Sequence, residues 1–328
     1  MKELLDKIST LKVLVIGDIM LDHYIIGDVV RISPEAPVPV VAVEEDKYVL
    51  GAAANVALNV ARLGCATEVV GKIGNDRAGM MLKLLLGKNS IIFDSKFESG
   101  HTTTITKARV VVRGQQMCRI DREGKKSHYE ISEEDLQEEI CRKIQSADAV
   151  ILSDYAKGTL TNANVAKFID AARNGNTLSA IDPKPINQLK FSGVSLMTPN
   201  KLEAAQMAGF DLSPHDDCPF EEICTKIIGK YAPQNLVITL GADGMLVCGE
   251  NREIWRIPTY AKEVFDVSGA GDTSIACLAL ALAAGESLIR AAKFANIAAG
   301  IVVSKHETAA ISADELLHRG WEGIDVDF

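Results

Sequence analysis

Short, continuous apolar runs rich in β-branched residues alternate along this chain with amphipathic stretches, and that rhythm narrows the available folds more than any other feature. The runs KVLVIGD (12–18), TEVVGKIG (67–74), DAVILSD (148–154) and TLSAID (177–182) are separated by ANVALNVARLG (54–64), the stretch after Thr161 and a helix after Asn200. Strands that are apolar at nearly every position must be covered on both faces, and the intervening helices supply the cover. The expectation is an α/β fold, a doubly wound and mostly parallel sheet with helices on both faces. At 328 residues and 47% hydrophobic, the chain can bury a large core. No Ser/Gly/Pro-rich linker, low-complexity tract or fixed-period repeat divides it, so 1–328 reads as a single domain.

Two segments break the rhythm. Residues 22–43 (DHYIIGDVVRISPEAPVPVVAV) and 102–121 (TTTITKARVVVRGQQMCRID) alternate apolar with polar and lack helical periodicity. Each reads as a β-hairpin or strand pair, the second turning at Arg113-Gly114. Such strands form a small side sheet that cannot cover both of its faces, so a β lid and a homodimer contact through it are expected.

A net charge of −9, with the two signs interspersed, offers no footprint for nucleic acid or an anionic membrane surface. The apolar runs at the N-terminus and at 276–284 are too short for a secretion signal or a membrane span, and a soluble, cytoplasmic protein is expected. Seven scattered cysteines without a CxxC pair read as reduced thiols, and no histidines sit at metal-ligand spacing. After Gly17 the chain reads DIMLD, with no GxGxxG, which disfavours a dinucleotide-dependent oxidoreductase.

The strongest chemical signal is EVFDVSGAGDTSIACLALALAAG (263–285), read as a strand ending in a glycine turn that opens into a helix of small apolar residues. Gly269, Ala270 and Gly271 leave their backbone N–H groups free to converge on an anion. Asp272 then falls in the first helical turn, where those amides and the helix dipole should keep it ionised and where it can act as a general base. Asp266, Ser268 and Asp272 could also simply cap the helix. In TPNKLEAA (198–205), Asn200 and Glu203 suit a capping arrangement, with Lys201 between them. ITLGADGM (238–245) offers Thr239, Gly241 and Gly244, in a string that is good turn chemistry by itself.

The string DVSGAGDT resembles the C-terminal signature of the ribokinase-like (PfkB) carbohydrate kinases, and LGAAANVALNVARLG resembles their substrate-side glycine motif. GDIMLDHY, RISPEAPVPV, TITKARVVVRGQQMCRIDRE, LSDYAKG, IDPK and TPNKLE, in that order, look like segments of the D-glycero-β-D-manno-heptose 7-phosphate kinases within that family. The resemblance covers essentially the whole chain and implies a stand-alone kinase without the nucleotidyltransferase domain of the bifunctional forms. It implies that Asp272 is the catalytic base and that residues 269–271 form the anion hole. It further implies that Asn200 and Glu203 help place Mg²⁺ and the ATP phosphates through water, and that the 238–245 string and Asp266 belong to the nucleotide side. A monovalent cation is compatible with it. Two departures stand out: Gly51-Ala52 replaces a usual glycine pair, and 306–310 lacks the Gly-Thr pair that relatives carry near the adenine.

On the acceptor side, Asp18 and Asp22 flank the end of the first strand, where carboxylates can accept hydrogen bonds from vicinal hydroxyls, and Asn55 near Gly51 could do the same. A phosphorylated sugar needs cations, and Arg31, Lys107, Arg109 and Arg119 in the lid strands, with Lys157 and Lys184 after core strands, supply them. The resemblance implies ATP-dependent phosphorylation of the heptose 7-phosphate at C1, a step towards ADP-heptose for the lipopolysaccharide core. The rival readings are another kinase of the family, acting on ribose, fructose or fructose phosphate, and a non-catalytic nucleotide- or sugar-binding protein.

Overall fold

The computed structural model describes residues 1–213, 216–249, 253–261, 264–305 and 309–319. In chain order, helix α1 (Lys2–Ile8) leads into β1 (Lys12–Gly17), the long strands β2 (Ile19–Ile32) and β3 (Pro39–Ala52), helix α2 (Ala53–Arg62), β4 (Ala66–Val70) and β5 (Ile73–Gly74). Helix α3 (Arg77–Lys88), β6 (Ile92–Phe93), β7 (Glu98–Ser99), β8 (Ile105–Val112), β9 (Gln115–Arg122), α4 (Glu134–Gln145), β10 (Ala149–Ser153), α5 (Val165–Gly175) and β11 (Leu178–Asp182) follow. The chain continues with β12 (Leu196–Met197), α6 (Lys201–Met207), α7 (Phe220–Tyr231), β13 (Asn235–Thr239), β14 (Met245–Cys248), β15 (Ile254–Ile257), α8 (Ala270–Ala283), α9 (Leu288–Val303) and α10 (Ala313–Arg319).

Among the described residues the main sheet runs β15-β14-β13-β12-β11-β10-β1-β4-β6, parallel except at β14 and β15. The winding reverses at β1, which pairs with β4 on one side and β10 on the other. Alternation along each strand feeds two separate cores. Val13 and Val15 pack with α1, α2, α8 and α9, whereas Leu14 and Ile16 pack with α4, α5 and α7. Helix α8 is buried from Asp272 to Ala281, and its alanines allow close approach to α2 and α9. The doubly wound reading from the apolar runs holds.

The second sheet, ordered β3-β2-β8-β9, is the lid. Arg113 (φ 49°) and Gly114 (φ 78°) are both left-handed, as a two-residue hairpin turn requires, so that turn falls where expected. The first lid hairpin is longer than the expected 22–43, running from Ile19 to Ala52. The charged string Glu44 to Lys47 belongs to β3, an exposed edge strand where charge discourages further pairing.

Candidate active site

In an open parallel sheet, ligands gather outside the carboxyl ends of the strands where the winding reverses. Here that point lies between β1 and β10. Asp18 follows β1, Asp154 follows β10 and Asp182 ends β11, while the start of α8 carries Asp272 to the same edge.

Asp272 is only 5% exposed. Its carboxylate is held from two sides: Tyr155 Oη donates to Oδ1 at 2.6 Å and Asn55 Nδ2 donates to Oδ2 at 2.8 Å. The group is less acidic than a helix start alone would make it, yet it stays ionised at neutral pH. Burial pushes its pKa up to about 6, against the Tyr155 and Asn55 hydrogen bonds and Lys184, which favour the charged form. A carboxylate poised there can take a proton near neutral pH and release it again.

The run before α8 also departs from expectation. No strand precedes the glycines in the described residues; 264–268 is irregular, with the Phe265 and Asp266 amides both donating to Val303 O. Asp266 Oδ1 accepts from Ser268 N at 2.8 Å, an Asx turn that delivers Gly269 (φ 82°) to the helix N-cap. A Cβ on Gly271 would meet no heavy atom within 4 Å, so packing within the protein does not demand glycine there. The open space is a cavity of about 180 Å³ whose walls include Thr239, Gly241, Gly271, Ser274 and Asn296. The 238–245 string makes a tight β13–β14 connection and also forms one wall of this cavity. Gly244 (φ 87°) is structural, since a Cβ would lie 2.1 Å from Ile257 O, whereas Gly241 (φ 61°) faces open space.

Beside this cavity Asn200 and Glu203 form a complete capping box, Glu203 N to Asn200 Oδ1 at 2.9 Å and Asn200 N to Glu203 Oε2 at 2.9 Å. Glu203 Oε1 accepts from Lys184 Nζ at 2.5 Å. Lys201 Nζ reaches away to Asp216 O at 3.0 Å.

The small sheet brings further charges towards the same edge. Asp22 binds Arg109 at 2.7 Å, and Gly51 has no room for a side chain because a Cβ would lie 2.8 Å from Asp22 Oδ2. Ala52, in the position of the second family glycine, carries the strained pair φ 53°, ψ −129°. The Lys107 and Lys184 ammonium groups lie 5.7 and 5.5 Å from the Tyr155 ring centroid. Lys157 pairs with Glu123 at 2.5 Å, and Arg119 forks onto Asp121 at 2.8 and 2.9 Å. Arg31 is not brought to this cluster. It is exposed opposite Val40, nine residues beyond Asp22 on one strand and so roughly 30 Å away.

Asp18 is a further correction. It is 1% exposed and accepts three backbone N–H groups, from Tyr155 (3.0 Å), Lys157 (2.9 Å) and Thr159 (3.0 Å). It anchors the loop after β10 instead of facing an acceptor. Asn55 likewise spends its amide on Asp272, although its Oδ1 is buried without a hydrogen-bond partner. His306 to Thr308, in the segment expected near the adenine, lie outside the described residues.

Three participants escaped the sequence reading: Tyr155, Asp154 and Asp182. Asp154, pushed up to about 6 by burial, accepts from Ala156 N (2.8 Å), Lys184 N (3.1 Å) and Asn187 Nδ2 (2.9 Å). Burial pushes Asp182 up to about 7, and Lys184 stands 3.6 Å from it. Their signal was present in sequence, since DAVILSD and TLSAID both end in aspartate at a strand's carboxyl end.

The arrangement joins a proton-accepting carboxylate, an open glycine-lined helix start and a cation-rich lid. A family description, pfkB family carbohydrate kinase, matches residues 10–315. The chain is 40% identical over 311 residues to the bifunctional protein HldE of Desulfatibacillum aliphaticivorans, covering 94% of this chain and 63% of that protein. It is 43% identical to the HldE of Haemophilus influenzae strain PittEE, covering 93% of this chain and 62% of the relative. The chain thus spans a little under two thirds of the length of these relatives. In structure it is similar to Arabidopsis thaliana ribokinase complexed with ribose and ATP (TM-score 0.73, 20% identity, 94% of this chain and 98% of that one). It is also similar to Escherichia coli phosphofructokinase-2 (TM-score 0.74, 19% identity, 93% and 97%). With the match running through both the lid strands and the GAGD helix start, the chain belongs to the pfkB family of carbohydrate kinases.

Proposed function

We propose that this kinase transfers the γ-phosphate of ATP to the C1 hydroxyl of D-glycero-β-D-manno-heptose 7-phosphate, giving the 1,7-bisphosphate and ADP. The observation that supports the reading is Asp272, its carboxylate held by Tyr155 Oη and Asn55 Nδ2, directly after Gly271, which faces open space. Asp272 takes the hydroxyl proton as the oxygen attacks the γ-phosphorus. The bond from that phosphorus to the bridging oxygen breaks, and ADP carries that oxygen away. The amides of Gly269 and Gly271 face the oxygens of the migrating group, whereas the Ala270 amide, expected to join them, is donated to Val267 O at 3.3 Å; alignment with charge neutralisation supplies most of the rate.

Asn200 and Glu203 are the groups that would hold Mg²⁺, through water, with ATP. Their chemistry fits. The described residues contain no group of three His, Cys, Asp or Glu that could cage a metal, and Glu203 is engaged at both oxygens, which suits an ion that arrives with the nucleotide and keeps its water. That ion would neutralise phosphate charge. On the acceptor side, the unpartnered Asn55 Oδ1 supports an incoming hydroxyl donor, and Lys107, Arg109 and Lys184 support a phosphorylated sugar. Heptose, C1 and a place in ADP-heptose supply for the lipopolysaccharide core rest on the resemblance of the strings GDIMLDHY to TPNKLE to heptose 7-phosphate kinases.

A coupled ADP-release assay tests the assignment. The highest kcat/KM is expected for heptose 7-phosphate, and an equal or higher value for ribose, fructose or fructose phosphate would overturn it. We also propose a homodimer through the lid, supported by Val30, Ile32, Val43, Met117 and Ile120, all exposed on that small sheet. A monomer by light scattering at micromolar concentration would overturn the dimer.

A further inference from the structure

We propose that Tyr155 is a positioning residue for the catalytic base: its phenol orients the Asp272 carboxylate and keeps it ionised at neutral pH, while its ring holds the lid cation Lys107 and the cation Lys184 of the loop after β11 against the same point. The proposal rests on the reading of Asp272 as the base.

The loop that presents Tyr155 is rigid for reasons written into its neighbours. Asp18 accepts the amides of Tyr155, Lys157 and Thr159, and Asp154 accepts that of Ala156. Ala156 sits at φ 58°, and Gly158 at φ 126° leaves no room for a Cβ, which would lie 2.3 Å from Lys126 O. The tyrosine ring leans on the small cluster of Met20, Ala52, Ile105 and Tyr129, beneath the lid. From this fixed base the hydroxyl reaches Asp272 Oδ1 at 2.6 Å, short enough for a charge-assisted bond. Asn55 Nδ2 holds the other oxygen, so the two donors set the carboxylate plane and leave its remaining lone pairs for an acceptor hydroxyl.

The charged groups around Asp272 decide the sign. Lys184 and the two donors favour its ionised form, whereas burial and Asp22 from the lid oppose it, and Asp182 beyond Lys184 is a further acidic neighbour. Tyr155 itself is held well above the ordinary phenol range, by burial first and then by the Asp272 charge. It therefore stays a donor across the working pH and never competes as a base. Removing its hydroxyl takes away a bond to the charged form, so the pKa of Asp272 must rise further.

Tyr155→Phe tests this in two ways, each in the full chain with ATP and the accepted sugar phosphate. The acid limb of the kcat profile should move up by about one pH unit, the shift expected for one charge-assisted hydrogen bond. Near pH 6 the rate should then fall roughly fivefold through ionisation alone and recover largely by pH 8.5, with KM for ATP within about twofold. A limb that stays in place would overturn the proposal. Independently, a ¹³C-carboxyl titration of Asp272, assigned by the signal lost in Asp272→Asn, should show the same upward shift without any turnover. If that pKa rises while the rate profile does not follow, the Tyr155 contact stands and Asp272 is not the base. An unmoved titration sinks the Tyr155 assignment whatever the base is. Should Tyr155→Phe fail to fold, 3-fluorotyrosine at 155, a more acidic donor of similar size, should move the limb down, and no movement would overturn the proposal.

Discussion

Replacing Asp272 by asparagine should make the protein more stable and nearly inactive at once. Burial raises the folded-state pKa of Asp272 from its ordinary 3.8 to about 6, and the side chain is 5% exposed, so little solvent screening discounts the effect. Below both values the group is protonated in the folded and unfolded chains and costs nothing. Between them the unfolded chain loses its proton first, and stability falls as pH rises. Above the folded value the full penalty applies, roughly two pKa units or about 3 kcal/mol. An asparagine amide carries no such charge. Its oxygen can still accept from Tyr155, though the neutral bond is weaker by roughly 1 kcal/mol. Its NH₂ would face Asn55 Nδ2 donor to donor, but Asn55 Oδ1 has no partner, and rotation of that amide resolves the conflict. The shift already contains the stronger bonds to the charged form, so the net gain expected for Asp272→Asn is about 3 kcal/mol at pH 7.5 and near zero at pH 3.5. Urea unfolding at the two pH values measures it, beside an ADP-release assay in which turnover should drop by roughly 10²- to 10⁴-fold. A destabilised variant at pH 7.5, or a gain of equal size at both pH values, would refute the electrostatic argument. Retention of more than about a tenth of the turnover would remove Asp272 from the role of base.

Three further substitutions probe other parts of the site. Gly271→Ala should fold normally, because no atom lies within 4 Å of the new Cβ, yet raise KM for ATP about tenfold; unchanged kinetics would place the phosphates elsewhere. Ala52→Gly should relieve the strain of φ 53°, ψ −129°. That strain is about 1–3 kcal/mol, of which the entropy of glycine and the lost methyl return roughly 1.5, so a net gain of up to about 1.5 kcal/mol is expected. A loss of more than about 1 kcal/mol in urea unfolding would show that the conformation is unstrained. Asp18→Asn should cost about 2–4 kcal/mol, because an amide cannot satisfy three buried N–H donors. A loss under about 0.5 kcal/mol with only the sugar KM raised would return Asp18 to the acceptor site.

The parts legible in sequence are those where the signal is local. Val13 and Val15 against Leu14 and Ile16 belong to a run apolar at every position, and that run states that both faces of the strand are covered. The Arg113-Gly114 turn and the glycine-opened helix at Asp272 are likewise local, because a left-handed φ and a helix N-terminus need only a few residues to specify them. Asp18 was misread because its partners lie at Tyr155, Lys157 and Thr159, far along the chain, and nothing near residue 18 announces a loop descending on it. The raised pKa of Asp272 was not legible for the same reason, since a helix start favours an anion, whereas the burial that lifts the value is set by segments distant in sequence. Arg31 looked equal to Arg109 because both are lid arginines, and only the strand register separates one beside Asp22 from one at the far tip.

Carboxylates crowd this edge of the sheet, and their donors divide the work among them. Asp18 is filled by three backbone amides, and Asp154 by two amides and Asn187. Backbone donors cannot follow a moving proton without unfolding the loop they belong to, so these two groups act as fixed anchors for the segments that carry Tyr155 and Lys184. Asp272 is held by side chains alone, one phenol and one amide, and each leaves lone pairs on the carboxylate open. It is therefore the group that can gain and lose a proton while its surroundings stay in place. Rigid anchors at Asp18 and Asp154 are what make a precise 2.6 Å contact from Tyr155 to Asp272 affordable in a site that must also admit a sugar.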